Sequence, residues 1–322
     1  MPNWLIVILG PTGVGKTELC IRLAEHFHLP IVNADSRQLF AEIPVGTAAP
    51  TPEQQARVKH FFVGNLHLTD YYSASKYEAD ATELLERLFA DKDNHAHMAL
   101  LTGGSMMYID AVCNGIDDIP TIDDATRNLM KTRLANEGLP ALVEELKRLD
   151  PEHWEIVDRN NPRRVVHALE ICHMTGRTYT SFRKKEQAFK RGQDGTAQNL
   201  RPFRTIKIGL TRPRTQLYER INRRVLQMVE HGLVEEARKV YPLRHLNALN
   251  TVGYKELFEH FDGLTTLDEA IAKIQSNTRR YCRKQQTWFK HDSQIHWFDL
   301  SQMGDDMQTA SEKIIKYIES IV

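Results

Sequence analysis

The sequence contains no long apolar run and few cysteines, and these two absences exclude several classes of protein. No hydrophobic stretch among its 322 residues approaches the roughly 18 residues that cross a bilayer. The apolar stretch Trp4–Leu9 ends at a glycine and has no basic region before it, so it predicts a buried strand and no signal peptide. The four cysteines lie far apart without a CxxC pair, which argues against a zinc site and a disulfide framework. We therefore expect a cytoplasmic protein with no membrane association.

One motif near the amino terminus predicts a phosphate site. The pattern GxxxxGK[ST] is matched by Gly10, Pro11, Thr12, Gly13, Val14, Gly15, Lys16 and Thr17. It stands between the apolar stretch Trp4–Leu9 and a predicted helix, which is the context that a P-loop requires. Glycines let backbone N–H groups turn toward phosphate oxygens, Lys16 adds a positive charge, and the Thr17 hydroxyl can bind Mg²⁺. A glycine-rich turn without a ligand is the alternative, but the strand–loop–helix context favours a site for a diphosphate or triphosphate.

The apolar periodicity predicts an α/β fold. Short apolar runs that are typical of buried parallel strands occur at 4–9, 29–34, 98–101, 205–210 and 296–300. Amphipathic helices are predicted at 17–27, 77–90, 216–240, 267–290 and from 307 onward. We thus expect a P-loop NTPase-like parallel sheet flanked by helices.

A second unit interrupts this pattern. From about residue 125 to 187 the periodicity is helical only, with one predicted face formed by Leu129, Leu134, Leu142, Leu146 and Leu149. Residues 192–202 have no apolar periodicity and predict a loop. We expect a catalytic core formed by residues 1–118 and 203–322, with a helical insertion domain at 119–202.

The positive charges are concentrated in two segments although the net charge is zero. Between Arg159 and Arg214 there are 14 lysines and arginines against three acids, so this segment carries +11 and the remainder −11. The stretch from Lys273 to Lys290 is also basic and contains no acid. A solvated helix face would explain one such run. Two runs in a protein with a phosphate site favour a nucleic acid partner.

Asp35 is the candidate general base. It follows the second predicted strand, and the carboxyl ends of parallel strands point into the ligand crevice. The strand at 98–101 ends instead in Thr-Gly-Gly. A helix cap or turn role is the alternative for Asp35. No NKxD motif occurs, which disfavours a GTPase, whereas an ATP-dependent small-molecule kinase and a non-enzymatic RNA-binding module remain alternatives.

Several motifs together resemble the bacterial tRNA dimethylallyltransferases over essentially the whole chain. Apart from the P-loop, the matching residues are Asn33-Ala-Asp-Ser36 with Gln38, Val45-Gly-Thr-Ala-Ala-Pro50, Gly103-Gly-Ser-Met-Met-Tyr108, Asn161-Pro-Arg-Arg164, Ala168-Leu-Glu170, Glu219-Arg-Ile-Asn-Arg-Arg-Val225, Met228, Val252-Gly-Tyr-Lys255, Lys284-Gln285 and Thr287-Trp-Phe289. The order and spacing of these segments are highly specific.

The resemblance implies transfer of a dimethylallyl group from dimethylallyl diphosphate to N6 of adenosine 37, in tRNAs that read codons beginning with U. It implies that the P-loop and Mg²⁺ at Thr17 hold the diphosphate leaving group, and that Asp35 receives the N6 proton. Ser105 stands where the family usually has threonine and is expected to contact the same region. Arg220 and Arg224, spaced four apart on a predicted helix, would clamp the diphosphate, with solvent-facing arginines as the alternative.

The resemblance also implies contacts with the tRNA anticodon stem-loop, whose reactive base would be extruded from its stack. The implied contact residues are Asp35, Ser36, Arg37, Gln38, Ser105, Arg163, Arg164, Val165, Val166, His167, Asn250, Thr251, Val252, Gly253, Tyr254 and Lys255. The first basic segment supports Arg163 and Arg164 independently. No coiled-coil pattern is present, and we expect a monomer.

Overall fold

The computed structural model describes residues 2–94, 96–117, 119–183, 201–303 and 307–322. The chain divides into two compact units, one formed by Met1–Cys113 with Arg201–Val322 and the other by Asn114–Leu200. Within the described ranges, no helix is long and apolar enough to cross a membrane.

A parallel sheet forms the centre of the first unit. Its strands are β1 (Trp4–Leu9), β2 (Ile31–Asn33), β3 (His60–Phe61), β4 (Met98–Thr102), β5 (Arg204–Thr211) and β6 (His296–Asp299). They lie in the order β3-β2-β4-β1-β5-β6, and every neighbouring pair is parallel. Strands β1 and β4 are apolar and buried because helices cover both faces of a parallel sheet.

Helices surround the sheet and form the second unit. In chain order they are α1 (Lys16–Phe27), α2 (Pro44–Thr47), α3 (Pro52–Arg57), α4 (Ala74–Ala90), α5 (Met106–Asn114), α6 (Asp124–Leu149), α7 (Pro151–Ile156), α8 (Pro162–Thr175), α9 (Arg214–Glu230), α10 (Leu233–Val240), α11 (Tyr254–Phe261), α12 (Leu267–Lys290) and α13 (Met307–Glu319). Two clusters of buried apolar side chains, one containing Leu5 and Leu101 and the other Ile6 and Ile208, alternate along the strands and fill the two faces of the sheet.

The expected parallel sheet with flanking helices is confirmed, but one helix was predicted wrongly and one strand was not predicted. The predicted helix at 216–240 is two helices, because the chain turns at Gly232 with φ of 94°. Strand β3 was not predicted, since two residues are too few for a periodic signal.

The second unit is helical in its described part, but the predicted leucine face is only partly correct. Leu142 and Leu146 are buried in its core, whereas Leu129 and Leu149 are 54% and 41% exposed. Gly138, whose φ of 78° and ψ of 167° interrupt α6, separates Leu129 from the buried pair, whereas Leu149 is the last residue of the helix. The predicted loop at 192–202 lies outside the described residues up to residue 200.

Candidate active site

The P-loop connects β1 to α1 through backbone conformations that favour glycine. Gly10 has φ of 149°, and a Cβ atom there would lie 2.7 Å from the carbonyl oxygen of Leu210 on β5. Gly15 has φ of 113° and directly precedes α1. The unpaired N–H groups of the first turn of α1 therefore lie at the loop, with the positive end of the helix dipole. This is the geometry of an anion site.

A cavity of about 950 Å³ opens at the P-loop, on the side of the carboxyl ends of the strands. All six predicted catalytic residues line it, namely Lys16, Thr17, Asp35, Ser105, Arg220 and Arg224. Of the predicted diphosphate-binding residues, Thr12, Gly13 and Gly15 line it as well, whereas Gly10, Pro11 and Val14 support the loop from behind. The structure thus brings together residues that are up to about two hundred positions apart in the chain.

Lys16 is held against its own loop by two hydrogen bonds. Its Nζ donates to the carbonyl oxygen of Gly10 at 2.8 Å and to that of Pro11 at 3.1 Å. Burial, and next the nearby charge of Arg224, lower the pKa of Lys16 to about 8. A diphosphate bound here would supply a negative counter-charge for this ammonium group.

The two arginines of α9 face the same cavity, so the solvent-facing alternative is excluded. Arg220 Nε donates to the carbonyl oxygen of Gly13 at 2.7 Å, which ties the guanidinium to the P-loop. Arg224 follows one turn later, and burial lowers its pKa while the charge of Asp35 opposes that shift. Leu217 and Ile221 anchor the helix in the core beneath them.

Asp35 and Ser105 meet because β2 and β4 end in close contact. A Cβ atom on Gly103 would lie 2.2 Å from the carbonyl oxygen of Ala34, so only glycine permits this approach. Asp35 Oδ1 accepts a hydrogen bond from the backbone N–H of Arg37 at 3.0 Å. Asp35 therefore does stabilise a turn, which was the alternative role given to it by its sequence position. Its other oxygen, Oδ2, faces Gly104. Ser105 Oγ accepts from the backbone N–H of Ser36 at 2.8 Å.

Gln285 on α12 links the P-loop to this acidic side, and no sequence signal assigned it that role. Its side chain is fully buried. Oε1 accepts from the backbone N–H and the hydroxyl of Thr12 at 2.9 and 3.1 Å, and Nε2 donates to the carbonyl oxygen of Gly104 at 2.8 Å. Tyr281, one turn earlier, donates to the same carbonyl at 3.0 Å. Both contacts depend on tertiary packing that local sequence does not encode.

The predicted tRNA-contacting segments differ in exposure. Among the residues lining the cavity are Ser36, Arg37, Gln38, Asn250, Thr251, Val252, Gly253 and Lys255. Tyr254 is fully buried, and its hydroxyl donates to Glu236. In the second unit, Arg163, Arg164 and His167 are exposed at the start of α8, Val166 is half-buried, and Val165 lies in the core. The side chains of Tyr254 and Val165 are therefore not accessible to a ligand, because each is buried in the core of its own unit.

The fold and the cavity define a P-loop α/β protein in which cations and a carboxylate line one pocket. A profile of the family described as IPP transferase matches residues 38–292. The chain therefore belongs to the IPP transferase family, which confirms the resemblance given by its motifs. The profile match begins after the P-loop and Asp35, so the assignment of those residues rests on this chain's own motif and geometry.

Similar proteins cover almost the whole chain. The protein named tRNA dimethylallyltransferase 1 of Phocaeicola vulgatus is 60% identical over 308 residues, which are 96% of this chain and 98% of that protein. Its namesake in Bacteroides thetaiotaomicron is 58% identical and covers 100% of this chain and 99% of its own length. The crystal structure of a full-length tRNA isopentenylpyrophosphate transferase from Bacillus halodurans has a TM-score of 0.69 at 30% identity, covering 99% of this chain and 96% of that one.

From the lowered pKa of Lys16 we predict how the stability of the ligand-free protein depends on pH. The pKa of Lys16 falls from 10.5 to about 8 because its charged form is unfavourable in the folded protein. Below pH 8 this charged form lowers the free energy of unfolding by the full amount, and the loss disappears as the pH rises to 10.5. We expect Lys16→Met to stabilise the ligand-free protein by about 1 kcal/mol at pH 7, with no gain above pH 10.5.

Chemical denaturation at several pH values measures this difference. Lys313→Met, at an exposed position on α13, is the matched control and should leave the unfolding free energy unchanged. A Lys16→Met protein that is less stable than the parent at pH 7 would contradict the electrostatic cost assigned to Lys16.

Proposed function

We propose that the chain transfers a dimethylallyl group from dimethylallyl diphosphate to N6 of adenosine 37, in tRNAs that read codons beginning with U. The products are N6-dimethylallyladenosine in tRNA and diphosphate. The observation that carries the proposal is the shared cavity. Its lining includes Lys16 of the P-loop, Arg220 and Arg224 of α9, and Asp35 with Ser105. The names of the similar proteins support the same reaction. The chain would act as a monomer in the cytoplasm.

Stabilisation of the leaving group is the main catalytic contribution in this proposal. The bond between the allylic carbon and the diphosphate oxygen breaks, and its electron pair remains on the diphosphate. Backbone N–H groups of the P-loop, Lys16 and the guanidinium groups of Arg220 and Arg224 face that developing charge. Such groups are held in place before the reaction, so they stabilise the charge without reorganisation.

Asp35 acts at the other side of the pocket. The N6 lone pair of the extruded adenine forms the new carbon–nitrogen bond, and the N6 proton passes to a carboxylate oxygen of Asp35. Because Oδ1 is already occupied by the backbone N–H of Arg37, Oδ2 is the oxygen that takes this proton. The hydroxyl of Ser105, beside it, completes the acceptor side together with Ser36.

The site also fits Mg²⁺ delivered with the donor. The described residues contain no cluster of three or more His, Cys, Asp or Glu that could hold a metal ion by themselves. Mg²⁺ usually keeps several waters and binds through one or two protein groups plus substrate phosphates. The hydroxyl of Thr17, at the cavity wall, together with the diphosphate forms such a ligand set. Bound there, Mg²⁺ would neutralise charge on the leaving group.

The proposal is tested by incubating the protein with Mg²⁺, dimethylallyl diphosphate and an unmodified tRNA carrying adenosine 37. Release of diphosphate and a prenylated adenosine, detected by mass spectrometry, support it. ATP consumption with a phosphorylated small molecule would favour a kinase instead. Binding of tRNA without turnover would favour an RNA-binding module.

Asp35→Asn is expected to lower kcat by about a hundredfold or more while leaving tRNA affinity nearly unchanged, since a general base acts mainly in the transition state. The amide oxygen can still accept the hydrogen bond from Arg37, so the turn is retained. Single-turnover rates and filter binding provide the two measurements. Asp93→Asn, an exposed change of the same chemistry, is the control. Equal losses in turnover and in tRNA affinity would contradict the role of Asp35 as general base.

Arg163→Ala is expected to weaken tRNA binding and to reduce the slope of log K against log salt by about one, because one phosphate contact is lost. The affinity for diphosphate should not change. Lys131→Ala, at an exposed position of the second unit but outside the basic segment, is the matched control. A salt slope equal to that of the parent would place Arg163 outside the tRNA interface.

A further inference from the structure

Glu236 is a buried carboxylate that binds backbone on a neighbouring segment. It lies on α10 with 8% of its surface exposed. Its Oε2 accepts from the backbone N–H of Val45 at 2.8 Å, and its Oε1 accepts from that of Gly46 at 2.8 Å. Among the described residues, no lysine or arginine forms an ion pair with it. The charge is thus satisfied by the first turn of α2 rather than by a cation.

The side chain of Tyr254 contacts both Glu236 and the backbone around α2. Its buried hydroxyl donates to Glu236 Oε1 and also lies 3.3 Å from the carbonyl oxygen of Ile43. A Cβ atom on Gly46 would lie 2.3 Å from that hydroxyl, so the ring and the α2 backbone are in direct contact. Burial and the charge of Glu236 raise the pKa of Tyr254, which keeps the hydroxyl protonated as a donor.

The opposite end of α2 is held by Gln38. Its Nε2 donates to the carbonyl oxygens of Thr47 and Ala48 at 3.1 and 3.0 Å. These are carbonyls that the end of a helix leaves without an internal partner. Gln38 belongs to the same turn as Asp35. The short helix is therefore bound at its N–H end by Glu236 and at its carbonyl end by the turn that carries the proposed base.

The network lies directly behind one wall of the cavity. Gly46, Thr47, Ala48 and Gln38 line that wall, as do the neighbours of Tyr254 on both sides. Glu236 and Tyr254 do not line it. Their effect on a ligand must pass through the backbone that they hold.

We propose that Glu236 is a positioning residue for the acceptor side of the pocket. Its carboxylate holds α2 in place between Tyr254 and Gln38. As a result, the segment that carries Asp35 and the segment 250–255 keep a fixed arrangement along one wall of the cavity. The P-loop lies outside this network and binds the donor independently of it. The inference rests on the proposed function, because that function defines which wall receives the acceptor base.

The test separates the acceptor side from the donor side. In Glu236→Gln we expect kcat/KM for tRNA to fall by about tenfold or more, whereas the affinity for inorganic pyrophosphate stays within about twofold. Hydrogen exchange at the amides of Val45 and Gly46 should become faster, since the acceptor that protects them is weakened. Tyr254→Phe should give a smaller loss in the same direction. Its buried hydroxyl cannot act by touching RNA.

The matched control is Glu235→Gln, the same chemical change at the exposed neighbouring position. It should leave all three measurements unchanged. An inactive parent protein would defeat the proposed function itself. An active parent with unaltered tRNA kinetics in Glu236→Gln would overturn the positioning role, as would parallel losses of pyrophosphate binding and tRNA turnover. If Glu236→Gln does not fold, Tyr254→Phe decides the question by the same readouts.

Discussion

The burial of cations close to one another in one pocket is the constraint on which the site depends. Burial, and next the nearby guanidinium of Arg224, lower the pKa of the Lys16 ammonium group. Such an arrangement is unfavourable without an anion and favourable with one. The fold maintains it because α9 is anchored by its apolar face and the P-loop by close packing against β5. The cations that the proposal assigns to the diphosphate are thereby held in place in the ligand-free protein.

The two halves of the proposed reaction draw on different parts of the fold. The proposed phosphate-binding groups come from the β1–α1 loop and α9, whereas Asp35 and Ser105 come from the ends of β2 and β4. Gln285 spans the interval, since one end of its amide binds Thr12 and the other binds Gly104. A fully buried amide with both ends bonded is rigid. Gln285, which has no part in the proposed chemistry, thus ties the P-loop to the segment that follows β4.

The sequence predicted every strand except β3, the P-loop, and the cavity residues Lys16, Asp35, Arg220 and Arg224. Trp4–Leu9 is an unbroken apolar run, and Gly10–Thr17 is a specific motif. Arg220 and Arg224 share a helix face by spacing, whereas their role was implied by the resemblance. Gln285, Tyr281 and Glu236 had no such local signature, because their partners lie far away in the chain. The leucine face of α6 was only partly correct, and the interruption of the helix at Gly138 is apparent only from its backbone angles.

The segments predicted to contact tRNA also contain residues whose side chains lie in the core. Tyr254 stands between Gly253 and Lys255, which line the cavity, yet its ring lies in the core and its hydroxyl binds Glu236. Val165 stands beside exposed Arg164 and packs inside the second unit. Because the side chains of an amphipathic helix return to the core every three or four residues, a continuous motif of several residues on such a helix combines both kinds of residue. Loss of tRNA binding on truncating Tyr254 or Val165 would therefore report a displaced wall or helix, and only changes that spare the packing can identify a contact.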